Sequence, residues 1–224
     1  MKSLRRVRTE KLICASLSTG APVSRLYGLD RGQAIDRYYI ESFLETEKAA
    51  VKGSCLELLT NDYTRRFGRN RVTRSEVLDI DRGNERATIY GDLRDLKTDI
   101  PDRTFDCIIL TQTLQYIDEC EAALMECRRI LVDVGVLLAT IPTMCRLDVA
   151  SGRDADFWRF TPAGARHLFH RVFGEENTQV VGYGNVVTGL GFWLGLAQKD
   201  LTPTDFTNDD PDFPILVSVK AVKR

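Results

Sequence analysis

Histidine is almost missing from this chain: His167 and His170 are the two in 224 residues. Imidazole is the usual acid–base group near neutral pH, so chemistry needing a histidine pair or triad has little material here. At helical spacing both point away from the apolar stripe Leu168, Phe169 and Val172, which makes them surface residues. The six cysteines, at 14, 55, 107, 120, 127 and 145, contain no C-x-x-C pair, which removes the common zinc and thioredoxin-like patterns. No metal is expected. Cys55 and Cys107 fall in apolar strands as small core residues, and no Asn-x-Ser/Thr acceptor occurs; both fit a reducing, cytoplasmic setting. No apolar run approaches the roughly 20 residues that span a bilayer. The basic start (Lys2, Arg5, Arg6, Arg8, Lys11) is followed by too short an apolar stretch for a signal peptide. Net charge is −1, from 31 basic and 32 acidic residues, so no global field points to nucleic acid. The expected partner is a small molecule, with neither nucleic acid nor membrane; oligomeric state is not legible.

What the chain does have is an alternation of short apolar strands and amphipathic helices. This implies one α/β domain over residues 32–224, behind an irregular N-terminal arm at 1–31. A helix is expected over 33–51, with Ile35, Tyr38, Tyr39 and Phe43 inward and Asp36, Arg37, Glu41 and Glu45 in solvent. Strands are expected at 54–59, 76–81, 87–90, 105–110, 136–141 and 179–182. Residues 214–222 read as a half-buried edge strand. Further helices are expected at 118–131, from Thr161-Pro162, and at 186–198, while 143–160 reads as a long polar loop of the kind that carries function.

The stretch Ser54 to Gly68 organises the rest. It reads as a buried strand, a Thr60-Asn61-Asp62 turn whose side chains can cap free N–H groups, and a short helix closed by Gly68. Ligands of open α/β sheets sit beyond the carboxyl end of such a strand. Five features follow in order: Glu57 on this strand, Asp79 22 positions later, Gly91-Asp92-Leu93, Phe105 to Gln112, and Ala122 to Thr140. Together they resemble the class I S-adenosylmethionine-dependent methyltransferases, of the type 11-like kind, over about residues 50–222. The resemblance implies a Rossmann-like α/β fold: a seven-stranded, mostly parallel sheet with an antiparallel last strand and helices on both faces. It implies S-adenosylmethionine as cofactor. Asp79 or Asp81 would meet the ribose hydroxyls, Asp92 and Leu93 the adenine, and Thr111 and Gln112 would lie in a cofactor-contacting turn. Segments Asp36 to Glu41, Tyr63 to Gly68 and Trp158 to Thr161 resemble a subgroup met near sugar and secondary-metabolite genes.

The departures lie in the first motif. The family's glycines two, four and six places after the acid are here Leu59, Asn61 and Tyr63. Glycine permits positive φ and close approach of a ligand to the backbone. Leu59 adds bulk where the methionine part would lie, Asn61 tolerates a left-handed conformation, and Tyr63 can stack or hydrogen-bond. Glu57 either meets a ligand ammonium or fixes its own turn, and Asp92 is either an adenine acceptor or a strand-end cap. The catalytic base is unassigned, with Tyr38, Tyr39 and Glu41 as candidates. Trp158, Arg159, Phe160 and Trp193 are candidate walls of an acceptor pocket. The expectation is methyl transfer to O or N of a small molecule, a sugar or secondary metabolite. Two alternatives stand beside it. One is cyclisation or elimination with the same cofactor; the other is a non-catalytic module that binds a protein through Phe192 and Trp193.

Overall fold

The computed structural model describes residues 4–149 and 152–224. In β1 (Gly53–Leu58) the neighbours Cys55 and Leu56 point to opposite faces and both are fully buried, so the strand must lie inside a sheet covered on both sides. β2 (Val72–Asp79) and β4 (Phe105–Thr111) flank it in parallel. β3 (Ile89–Tyr90) adds beyond β2, and β5 (Leu131–Pro142) beyond β4. β7 (Leu216–Val222) runs antiparallel between β5 and β6 (Thr178–Tyr183), which gives the order β3-β2-β1-β4-β5-β7-β6. This is the expected seven-stranded Rossmann-like sheet with its last strand reversed.

Two cores follow from the strand alternation. On one face Ile108, Leu137 and Val219 pack with Leu124 and Cys127 of α3 (Cys120–Ile130) and Phe169 of α4 (Pro162–Phe173). On the other, Cys107, Ile109 and Leu138 pack with Tyr39 and Ile40 of α2 (Ile35–Thr46) and Phe192 of α5 (Val186–Leu194). Thr161 and Asn185 cap α4 and α5, each accepting backbone N–H bonds from the first turn. Among the described residues no helix is long and apolar enough to cross a membrane.

Several boundaries differ from the sequence expectation. The arm is not irregular: α1 spans Leu4–Thr19. Its apolar stripe is weak, so periodicity does not reveal it, and tertiary bonds hold it instead. Arg6 pairs with Asp205 at 2.8 Å, and the Thr9 hydroxyl donates to the Asp200 carbonyl. Arg31, further along the arm, grips the buried Asp200 carboxylate with two donors. The last strand is not an edge strand: β7 is paired on both sides and β6 is the edge. Its two buried faces are why 216–219 are all buried rather than alternating. β5 absorbs the expected Asp133-Val134-Gly135 turn as an irregularity opposite Phe105 and Cys107, with Val134 at φ 65°. β2 starts at Val72, earlier than expected, and β3 shrinks to two residues. α2 ends at Thr46 and α5 at Leu194, short of the predicted ends.

Gly195 ends α5 in the left-handed region at φ 76°, and a Cβ there would lie 2.2 Å from the Ser24 carbonyl oxygen. The arm runs against this point, with Val23 N–H donating to the Leu194 carbonyl at 2.8 Å. Gly195→Ala is therefore expected to lower stability by about 2 kcal/mol or more, read from urea denaturation.

Candidate functional site

The site starts from one carboxylate. Glu57, only 3% exposed, accepts the Tyr63 N–H through Oε1 at 3.2 Å and the Thr64 N–H through Oε2 at 2.7 Å. Burial pushes its carboxyl pKa up, and the Thr64 and Tyr63 donors pull it back. These bonds start the π-type turn Thr64–Gly68 and fix the preceding loop. Within that loop Leu59 takes φ 67°, the conformation a glycine would adopt without steric cost. Its side chain is 56% exposed. Asn61 turns away and donates to Ser75 at 3.1 Å. Tyr63 packs on Phe67, and its hydroxyl accepts from Arg37 at 3.1 Å.

Beyond β1 and β2 lies a cavity of about 480 Å³, lined by Leu59, Asp79, Ile80, Asp92, Leu93, Gln112 and Phe157 among others. Asp79 is buried. Its Oδ1 accepts from Asp81 N–H at 2.9 Å and its Oδ2 from Asn84 Nδ2 at 2.7 Å. Each carboxylate oxygen keeps a second lone pair. Asp81 is exposed, accepts from Gly83 N–H at 2.8 Å and does not line the cavity. Asp92 is bound by Arg94, whose nearest approach is 2.6 Å; Arg94 also reaches Asp118 at 2.7 Å. That guanidinium holds the Asp92 carboxyl below the usual range. Gln112, at φ 51°, turns the chain out of β4 and donates its N–H to Thr140 at 2.8 Å.

A second cavity, of about 370 Å³, continues on the other side of Leu59. Leu59, Gln112 and Tyr116 line both. Glu57, Tyr63 and Thr111 face it from β1, its turn and β4, Asp36 and Arg37 from α2, and Tyr27 from the arm. Asp36 was expected in solvent by helical periodicity. Instead it is 9% exposed, lining the same cavity as Tyr27 and Leu29 of the arm, and its Oδ1 has no hydrogen-bond partner among the described residues. Burial pushes the Asp36 carboxyl up, against a smaller pull from Arg37. The Cys145 thiol beside it is raised to about 11, chiefly by burial.

The proposed bases lie elsewhere. Tyr39 is in the core with its hydroxyl 3.3 Å from Thr188, Tyr38 packs on Phe206, and Glu41 pairs with Arg66 at 2.8 Å. None lines either cavity. The loop residues are staples. Arg159 clamps the buried Asp156 through contacts of 2.6 and 2.8 Å, and Trp158 Nε1 donates to the Ile117 carbonyl at 3.0 Å. Phe160 stacks obliquely on Trp158. Their neighbour Phe157, which the sequence did not single out, enters the first cavity. Trp193 lines a third, wider cavity of about 1090 Å³ with Leu17, Leu26 and Leu147. Among the described residues no cluster of His, Cys, Asp and Glu could hold a metal ion.

Residues 52–139 match the methyltransferase-domain family. No curated protein matches the chain. Among solved structures, a SAM-dependent methyltransferase from Archaeoglobus fulgidus is 12% identical with a TM-score of 0.56, covering 84% of this chain and 94% of its own. The N-methyltransferase NodS from Bradyrhizobium japonicum, solved with S-adenosyl-l-homocysteine, is 13% identical with a TM-score of 0.51, covering 99% and 100%. The [4+2]-cyclase SpnF is 15% identical with a TM-score of 0.50, covering 98% and 95%. At these identities the structures show the fold. Residues 52–139 are thus similar to a methyltransferase domain, and the chain has the fold of the class I S-adenosylmethionine-dependent methyltransferases.

Asp36 holds its proton more tightly folded than unfolded, where the value is near the ordinary 3.8. Its contribution to stability therefore falls as pH climbs from there through the raised native value, and stays low above it. Asp36→Asn is expected to melt higher than the wild type at neutral pH, with the gap closing toward pH 4. Each unit of upward shift is equivalent to about 1.4 kcal/mol. At Leu59, glycine would relieve about 1–2 kcal/mol of left-handed strain and cost about 0.5–1 in chain entropy. Leu59→Gly should leave the melting temperature within a few degrees of wild type.

Proposed function

We propose that the chain binds S-adenosylmethionine across the two cavities and is an enzyme that transfers its methyl group to O or N of a small molecule. The observation that carries this reading is Asp79. It is a buried carboxylate with spare lone pairs on a cavity also bounded by the apolar Ile80 and Phe157. Two adjacent ribose hydroxyls suit the first feature and a flat purine the second. Each cavity exceeds the roughly 300 Å³ from which ligand pockets start. Leu59 stands exposed at the border between the cavities, so its bulk fits the group's presence.

In this reading Asp79 holds the ribose, Ile80 and Phe157 cover the base, and the Glu57-capped turn supports the amino-acid end. Asp92 acts chiefly through Arg94 as a fixed rim. When bound, the sulfonium supplies an electrophilic methyl carbon. The chain's own contribution is to orient the acceptor and exclude water, which suits a site with no histidine nearby. The third cavity shares Asp148 with the second, so an acceptor with an apolar body would approach past Leu17, Leu26 and Trp193. The six free cysteines accord with a cytoplasmic setting.

Isothermal titration with S-adenosylhomocysteine should give micromolar binding, weakened at least tenfold in Asp79→Asn; absence of heat at millimolar ligand would overturn the reading. Turnover with an accepted substrate should release S-adenosylhomocysteine. Release of methylthioadenosine instead would move the reaction to cyclisation or elimination.

A further inference from the structure

Five large apolar side chains stand in solvent around one hollow. Leu17 of α1, Leu26 of the arm, Leu147 and Val149 after β5, and Trp193 of α5 all line the third cavity, each between 49% and 71% exposed. Single apolar residues on a surface are ordinary, but several around one concavity mark a place where something apolar binds. At about 1090 Å³ the hollow lies at the upper end of the range for small-molecule pockets. Its walls are held before any ligand arrives. The Val23 and Ser24 N–H groups of the arm both donate to the Leu194 carbonyl of α5, at 2.8 and 3.2 Å. Opposite, Arg159 donates to the Arg146 carbonyl at 2.9 Å, and Asp156 accepts the Asp148 N–H at 2.8 Å.

The charge on these walls is one-sided. Arg25, Arg146 and Arg153 line the hollow against Asp148, whose carboxylate accepts from the Tyr116 hydroxyl at 3.0 Å. Arg146 is committed to the Tyr27 ring and the Leu147 carbonyl. Arg25 and Arg153 are exposed and have no ion pair among the described residues. Arg25 adjoins Leu26 in the arm, so charge lies beside the apolar wall. A cationic ligand would be repelled here, and an uncharged one would leave the guanidiniums unused. A carboxylate would gain charge-assisted hydrogen bonds from them. Asp148 also lines the second cavity, so a molecule that enters the hollow reaches the cofactor side of the site. A surface laid over its mouth would not.

We propose that the third cavity binds a small-molecule amphiphile, a carboxylate with an extended aliphatic body, its head on Arg25 or Arg153 and its body along Leu17, Leu26 and Trp193. As the acceptor's site this rests on the function proposed above, and it narrows that acceptor to an anionic amphiphile whose methylated end lies toward Asp148. As a binding site it stands without that reading.

Fluorescence and calorimetric titrations of the full chain test this. The probes are decanoate, decanol and decyltrimethylammonium, which share one apolar chain and differ in charge, each kept below its micelle concentration. The variants are Arg25→Gln with Arg153→Gln, Leu17→Asn with Leu26→Asn, and Trp193→Phe; every replaced side chain is exposed, so the fold is expected to survive. Decanoate should bind the wild type about tenfold more tightly than decyltrimethylammonium and move tryptophan emission to the blue. The arginine variant should lose that preference and keep decanol binding, the leucine variant should weaken all three, and Trp193→Phe should lose most of the emission change. Arg65→Gln with Arg69→Gln, a pair outside the hollow, should bind decanoate as the wild type does; an equal loss there would reduce the effect to net charge and overturn the proposal. It is also overturned if the three probes bind alike, if the arginine variant leaves decanoate binding unchanged, or if S-adenosylhomocysteine competes with decanoate. A chain that ignores decanoate and sediments with phosphatidylglycerol vesicles overturns it as well. A chain that binds decanoate as described but no S-adenosylhomocysteine keeps the amphiphile site and loses the methyltransferase reading; one that binds S-adenosylhomocysteine but not decanoate does the reverse.

Discussion

The double acceptance of the Tyr63 and Thr64 N–H groups by Glu57 governs the upper edge of the sheet. Among the described residues this deep carboxylate has two charged hydrogen bonds to backbone donors, which offset its desolvation. They fix the loop after β1, and that loop forces Leu59 left-handed. The Leu59 carbonyl accepts from Asn84, whose amide also donates to Asp79, so the first strand's turn and the second strand's acid are joined through one side chain. Distances across the cleft are thus set by a chain of polar contacts starting inside the sheet.

The elements flanking the cleft are tied down with comparable care. The arm packs Tyr27 on Phe192 and under Arg146, 3.8 Å from the ring centroid. The segment after β5 is pinned through Asp156 to Arg159 and to the Asp148 N–H. Walls held in this way need little ordering when a ligand arrives, so less of the contact energy is lost to entropy.

How much of this was legible follows from the range of each interaction. The strands around β1, and Glu57 and Asp79 at their ends, were readable because apolar runs and acids at fixed spacing are local signals. The burial of Asp79 and exposure of Asp81 were not, since they depend on which residue faces Asn84. α1 and the inner position of Asp36 were also illegible. Both depend on contacts far along the chain: Arg6 with Asp205, Arg31 with Asp200, and Tyr27 and Leu29 of the arm sharing a cavity with Asp36. Helical periodicity describes a helix against one neighbour and says nothing about a second covering. The roles of Trp158 and Arg159 in their loop were not legible for a related reason. They are the conspicuous residues of their loop, but they fasten it, and plain Phe157 between Asp156 and Trp158 is the one delivered to the cavity.

The placement of β7 between β5 and β6 bears on how the chain is made. The sheet from β3 to β5 is complete once residue 142 has been added, whereas among the described residues β6 pairs with β7 alone. On a ribosome, where the N-terminal part folds first, β6 and α4 wait with an open edge until residues 216–222 emerge. A chain cut before residue 216 would therefore have a sound β3-to-β5 half and a sticky, unpaired flank, a ready substrate for quality control.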